Sequence, residues 1–284
     1  MKNLVQQLLD HLTLERRGEN LFRGESHDVG SPNVFGGQVL GQALVAASGT
    51  VADRRAHSLH AYFLLPGDKQ APIDYEVDRI RDGRSYATRR VVAVQHGRPI
   101  FNLSASFKTP EEGVAHQFEM PVVPAPESLL NTAELARQAA RAPTRAVKFL
   151  TTERPIEFRP VAPSDPFAPQ PSPPSRAFWI RARAPLPDDP ILHQAMLAYA
   201  SDFSLLATAM LPHALSFVLG TVHAASIDHA MWFHRDFRMD EWLLYAMDSP
   251  SSADGRGFSR GNLFSRDGRL VASVAQEGVI RRVR

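Results

Sequence analysis

Apolar positions along this chain repeat with two different periods, and the two periods alternate in the same order twice. A short amphipathic stretch comes first, marked by Leu4, Leu8, Leu9, Leu12 and Leu14. Residues 35–47 then form an apolar run with helical spacing and small residues on most turns (Gly36, Gly37, Gly41, Ala43, Ala46, Ala47). Small residues let a helix lie close to a neighbouring element. Glycine at its start exposes free backbone N–H groups. Strand-like segments follow at 57–65, 73–81, 86–95 and 99–107, with turns at Asp82-Gly83-Arg84 and His96-Gly97. The pattern then restarts: a helical run at 191–211 and strand-like segments at 225–233, 241–249, 257–265 and 270–279.

Local landmarks confirm the repetition. His60-Ala61-Tyr62-Phe63-Leu64 recurs as His229-Ala230-Met231-Trp232-Phe233, at an offset of 169. Gly83-Arg84-Ser85-Tyr86 and Gly255-Arg256-Gly257-Phe258 lie 172 apart, and the His96-Gly97 and Asp267-Gly268 turns lie 171 apart. Each half is one helix followed by about four antiparallel strands, which predicts a helix wrapped by a curved sheet. The expected fold is α+β, a double hotdog of two fused repeats. Residues 1–108 form the N-terminal repeat, 109–190 a linker and 191–284 the C-terminal repeat. Half of the 22 prolines lie between Pro155 and Pro190. Proline removes a ladder donor, so 109–190 reads as a surface linker outside the central sheet, with one helix over 126–142.

Composition narrows the chemistry. The chain has no cysteine, which excludes disulfides, thiolate metal sites and a cysteine nucleophile. With 32 basic and 30 acidic residues, the net charge of +2 gives no reason to expect nucleic acid. No signal peptide is expected at the N-terminus, no run is expected to span a membrane, and the C-terminal Arg281-Arg282-Val283-Arg284 matches no retention or peroxisomal address. The expectation is a soluble, cytoplasmic protein. His229 and His234 are five apart on a strand and face opposite sides, so no metal is expected.

In a duplicated chain, polar groups held by one copy alone are candidates for chemistry. Asp202 lies in the apolar run Tyr199-Ala200-Ser201-Asp202-Phe203-Ser204-Leu205-Leu206, where its counterpart is Gln38. A buried carboxylate is costly unless it is hydrogen-bonded. The competing reading is that Ser201 or Asp202 caps a helix that starts late. Ser226 opens the marked strand opposite His57 or Ser58 of the first copy, and its competing reading is a turn or edge residue. Gln276 stands where the first copy has Ala105, and its competing reading is a solvent-facing strand glutamine. His229 has a histidine counterpart, which makes it look structural. A carboxylate, a hydroxyl and an amide converging at a helix end can hold a water, with the carboxylate taking its proton. Gly257-Phe258-Ser259-Arg260-Gly261 matches a nucleophile elbow, but the strand pattern runs on through Leu263 and Phe264, so it is rejected.

At these residues the chain resembles the type II acyl-CoA thioesterases, the double-hotdog enzymes, over nearly its whole length. The matching pieces are Val34-Phe35-Gly36-Gly37-Gln38-Val39, His57-Ser58-Leu59-His60-Ala61-Tyr62-Phe63, Asp228-His229-Ala230-Met231-Trp232-Phe233-His234 and Gln276-Glu277-Gly278. The resemblance implies hydrolysis of medium- or long-chain fatty acyl-CoA, without metal or other cofactor. It places the catalytic aspartate, hydroxyl residue and glutamine on Asp202, Ser226 and Gln276. It also implies homodimers or homotetramers. Leu65 departs from relatives that often carry arginine there, which puts a contact to CoA phosphates at that position in question. Two alternatives stay open: an acyl-CoA dehydratase of the same fold using Asp228-His229, and a non-catalytic acyl-CoA binding protein.

Overall fold

A computed structural model describes residues 4–139 and 145–283. Residues 1–3 of the N-terminal stretch, 140–142 of the expected 126–142 helix and Arg284 of the C-terminal tail lie outside them. The helices are α1 (Leu4–Leu12), α2 (Gly36–Ser48), α3 (Thr132–Ala139), α4 (Arg145–Thr151), α5 (Pro190–Ser201) and α6 (Leu205–Thr208). In the first half the strands are β1 (Glu15–Arg16), β2 (Leu21–Gly24), β3 (Arg55–Phe63), β4 (Ile73–Asp82), β5 (Tyr86–Gln95) and β6 (Arg98–Lys108). They continue as β7 (Ile156–Pro160), β8 (Ser175–Ala182), β9 (Val222–Ser226), β10 (Asp228–Phe233), β11 (Leu243–Ala253), β12 (Arg256–Ser265) and β13 (Leu270–Arg282).

The thirteen strands of the described residues join one antiparallel sheet in the order β1-β2-β4-β5-β6-β3-β10-β13-β12-β11-β8-β7, with β9 also on β13. The order reads the same from either end: β3 meets β10 at the centre, and each half runs outward through equivalent strands. Met231 pairs with Leu59 and Ala230 with His60 across that seam. The repeated sequence has thus become a two-fold arrangement within one sheet.

The expected linker is corrected here. Residues 109–190 supply β7 and β8, which sit outside β11 just as β1 and β2 sit outside β4. Prolines did not prevent this, because six of them fall between the two strands, in the loop 161–174, and among the segment's described residues only Pro160 lies within a strand. Pro160 closes the outermost strand, where a missing donor leaves no ladder partner unsatisfied. The rest of the segment straps the outer face. Met120, Val123 and Leu129 pack on Trp179, Trp242, Leu244, Phe264 and Leu270, and the Trp179 indole donates to the Pro124 carbonyl at 2.9 Å. The helix expected over 126–142 is a single 3-10 turn at Pro126–Ser128 followed by α3.

Inside the curved sheet α2 and α5 lie side by side and antiparallel. A methyl group on Gly37 would overlap the Tyr199 carbonyl, and one on Gly41 would sit 3.0 Å from the Ala195 carbonyl. Only hydrogen side chains permit that approach. α5 starts sharply because Asp189 caps it, accepting from the Ile191 amide at 2.9 Å, and Pro190 occupies its first turn. The 24-residue stretch Pro190–His213 contains a window with a mean hydropathy of 1.2, long and apolar enough by length and composition to cross a membrane, contrary to the sequence expectation. It is not one helix, however. It breaks after Ser201, passes through Ser204 at a φ of 66°, and restarts as the four-residue α6. Its apolar surface serves the core between α2 and the sheet.

Candidate active site

The break between α5 and α6 positions Asp202. The residue ends α5 as its C-cap and does not start a helix, so the capping alternative fails. Its carboxylate is half-buried and accepts from the Gln276 side-chain amide at 2.6 Å. The same amide nitrogen lies 3.0 Å from the Ser226 hydroxyl, which donates to the same Asp202 oxygen at 3.4 Å. Three residues from α5, β9 and β13 therefore meet at one point, although 50 and 74 positions separate Gln276 from the other two. Strand alternation explains the aim of Gln276. It lies on the inner face of β13, fully buried, at a position the first half fills with buried Ala105. Ser226 pairs with Gly278 in the β9–β13 ladder, one step along the same face.

The start of α2 completes the cluster from the other repeat. A side chain on Gly36 would come within 2.8 Å of the Asp202 carboxylate and of the Phe63 ring. No side chain caps this helix, unlike α5. Its first amides have no intrahelical acceptor and its dipole is positive at this end, so the site joins a carboxylate to a ready oxyanion binder. Phe35 packs against Tyr199 and Phe203, with Phe158 next in line, and Phe35 and Phe203 adjoin Gly36 and Asp202 in the chain.

The structure gives Gln38 a different part from the one expected. It sits in the first turn of α2, whereas Asp202 lies beyond the last turn of α5, so the two are not counterparts. Its amide ties down the entering chain, accepting from the His27 amide and donating to the Glu25 carbonyl.

Sequence alone sets His229 aside because His60 matches it in the repeated landmark. The sheet refutes that match. His60 is exposed and its ring meets Trp232 edge-on, while His229 is 1% exposed and points inward. The inward residues are Leu59, Ala61 and Phe63 on β3, and His229, Met231 and Phe233 on β10, so Leu59 is the true counterpart. A slip of one residue in aligning two strands exchanges their faces. Matching the apolar alternation of the two strands, rather than the histidines, would have revealed it. His229 Nδ1 lies 3.3 Å from the Gln276 amide nitrogen and Nε2 lies 3.0 Å from the Ser201 hydroxyl. Burial lowers its pKa to about 4, so the ring is neutral near pH 7.

Asp228 and His229 are neighbours on one strand and face opposite sides. Asp228 accepts from the Glu277 backbone amide at 2.6 Å, and burial raises its pKa. The acid–histidine pair that a dehydratase reading needs is therefore not assembled. Ser259, at the centre of the rejected elbow motif, lies within β12 opposite Gln276, with no turn into a helix. Among the described residues no group of three or more metal-ligating side chains occurs.

Two family models match the chain. One, described as acyl-CoA thioesterase, covers residues 146–279, and the other, described as the acyl-CoA thioesterase N-terminal domain, covers 23–108. Acyl-CoA thioesterase 2 of Haemophilus influenzae is 41% identical over 283 residues, spanning 99% of both chains. Human acyl-coenzyme A thioesterase 8 is 44% identical over 281 residues, 95% of this chain and 87% of its own. Among solved structures, an acyl-CoA thioesterase II from Mycobacterium marinum is similar with a TM-score of 0.78 at 43% identity, covering 96% of this chain and 98% of that one.

Proposed function

The chain belongs to the acyl-CoA thioesterase family, and we propose that Asp202, Ser226 and Gln276 are the groups with which it hydrolyses fatty acyl-CoA to free acid and CoA. The observation that carries this assignment is the Gln276 amide bridging Asp202 and Ser226 at 2.6 and 3.0 Å. Asp202 acts as general base. It takes a proton from a water whose oxygen attacks the thioester carbonyl carbon. The negative charge gathers on the carbonyl oxygen, where the uncapped first turn of α2 can stabilise it. The carbon–sulfur bond then breaks, and the proton held by Asp202 passes to the CoA sulfur. Ser226 and Gln276 orient the water, so no covalent intermediate is needed.

The proposal includes medium- and long-chain substrates, supported by the apolar ring cluster of Phe35, Tyr199, Phe203 and Phe158, of which Phe203 follows Asp202 in the chain. It includes a cytoplasmic location, which cell fractionation tests and recovery with the membrane fraction would refute. It also includes a homodimer or homotetramer. Tyr62 and Trp232, 55% and 36% exposed on the outer face of the central seam, with exposed Leu64 and Leu65 nearby, support a surface that a second copy covers. Sedimentation velocity tests this, and a monomer at all concentrations would refute it.

The decisive experiment follows free-thiol release from an acyl-CoA panel, acetyl to palmitoyl, with the parent and Asp202→Asn in parallel. The parent is expected to release thiol, with a chain-length optimum beyond acetyl. Asp202→Asn is expected to lose about 10²–10⁴-fold in turnover while still binding substrate. Near-normal turnover by the variant would remove Asp202 from the chemistry. Binding by a parent that releases no thiol would favour the non-catalytic reading.

A further inference from the structure

The Gln276 amide can serve the site only in one of its two orientations, and the structure holds a chain of groups that selects it. The chain begins at the Ala198 carbonyl, to which the Ser201 hydroxyl donates at 2.9 Å. With its proton committed, Ser201 Oγ can only accept from His229 Nε2, at 3.0 Å. That fixes the proton of the neutral imidazole on Nε2 and leaves Nδ1 as a bare acceptor. Nδ1 faces the Gln276 amide nitrogen at 3.3 Å, and the Asp202 carboxylate faces the same nitrogen at 2.6 Å. Turning the amide over would place its oxygen 2.6 Å from a carboxylate oxygen and 3.3 Å from a ring lone pair, with only the Ser226 hydroxyl, 3.0 Å away, left to donate to it. The orientation that remains leaves Gln276 Oε1 buried and without a partner among the described residues. A buried orphan acceptor is costly, and a site that keeps one has reserved it for an incoming donor such as water.

We propose that His229 is a positioning residue for the hydrolysis: through Ser201 and Gln276 it locks the amide nitrogen onto Asp202 and frees the amide oxygen for the attacking water. The ring touches neither substrate nor water. Tyr245 holds the same corner from β11, its hydroxyl donating to the Ser201 carbonyl at 2.8 Å. The proposal rests on the assignment of Asp202 and Gln276 above.

The test compares two replacements. His229→Asn can place a carbonyl oxygen where Nδ1 stood, keeping an acceptor for Gln276. His229→Leu fills similar volume with none. Steady-state kinetics on one acyl-CoA, with Tm measured alongside, should show His229→Leu losing about 10–100-fold in kcat with little change in KM, and His229→Asn recovering most of that loss. In a Gln276→Ala background, His229→Leu should cost no more than about twofold further, because the group it positions is gone. Equal losses for Asn and Leu that follow Tm, or full additivity with Gln276→Ala, would reduce His229 to a core histidine. If the leucine variant does not fold, ¹⁵N NMR of histidine-labelled parent protein decides. A bare Nδ1 and protonated Nε2 at position 229 is expected, and the opposite tautomer overturns the proposal. Normal turnover by Asp202→Asn would instead overturn the site assignment, so the two failures are distinct.

Discussion

Three side chains carry the proposed chemistry, and of these Gln276 stands out most clearly in the sequence, because the first copy has Ala105 in its place. His229 does not stand out, because the repeated landmark sets His60 opposite it. Its burial has a second consequence. In the unfolded chain its pKa is near 6.5, and in the folded protein burial lowers it to about 4. Above pH 6.5 both states are neutral and the group adds no pH dependence. Between about 6.5 and 4 the unfolded chain binds a proton that the folded protein refuses, so stability falls as pH falls. Urea unfolding at pH 7 and pH 5 should show a smaller loss for His229→Asn than for the parent. His11, His57, His193 and His234 are also lowered by burial, so part of the parent's acid sensitivity should remain. An identical pH 7-to-5 difference in both proteins would refute the shift at His229.

Two glycines one residue apart at the start of α2 should fail in different ways when replaced by alanine. At Gly37 a methyl group meets the backbone carbonyl of Tyr199 on α5, which cannot swing aside. Gly37→Ala should therefore force α2 and α5 apart and cost about 1–3 kcal/mol or more of stability. At Gly36 the methyl meets the Asp202 carboxylate and the Phe63 ring, both side chains, at 2.8 Å. Gly36→Ala should fold with a smaller drop in Tm and lose thioesterase activity disproportionately, as Asp202 is displaced. Calorimetry and thiol release on the same preparations separate the two effects, and equal ratios of lost activity to lost Tm would contradict this division.

At the scale of the whole molecule the site belongs to neither repeat alone. Asp202, Ser226 and Gln276 come from the second half, and the helix start beside them comes from the first. The halves also share their hydrogen bonds, since β10 pairs with β3 along five residues. Residues 146–284 expressed alone would expose one edge of β10 and the α2-facing side of α5. That fragment should self-associate or fail to unfold cooperatively, and should release no thiol. A folded, active monomer by sedimentation and assay would show the second half to be autonomous. An open strand edge is a template for pairing, which is why a lone half is expected to find a copy of itself.

The repetition, the helix-then-strands order of each half and the three unmatched polar residues were all legible in the chain, because they follow from local periodicity and from comparing it with itself. Periodicity records which face of an element is apolar. It does not record which strand lies at an edge, so a proline-rich stretch reads as a linker when Pro160 lies on the edge strand β7 and β8 between β7 and β11 carries no proline. Nor does it settle register, and a slip of one residue between β3 and β10 hid His229 behind His60. Those matters depend on contacts between residues far apart in sequence. The pairing of β3 with β10 and the glycine-permitted contact of α2 with α5 bring the uncapped helix start to the carboxylate, and only the folded molecule could decide that.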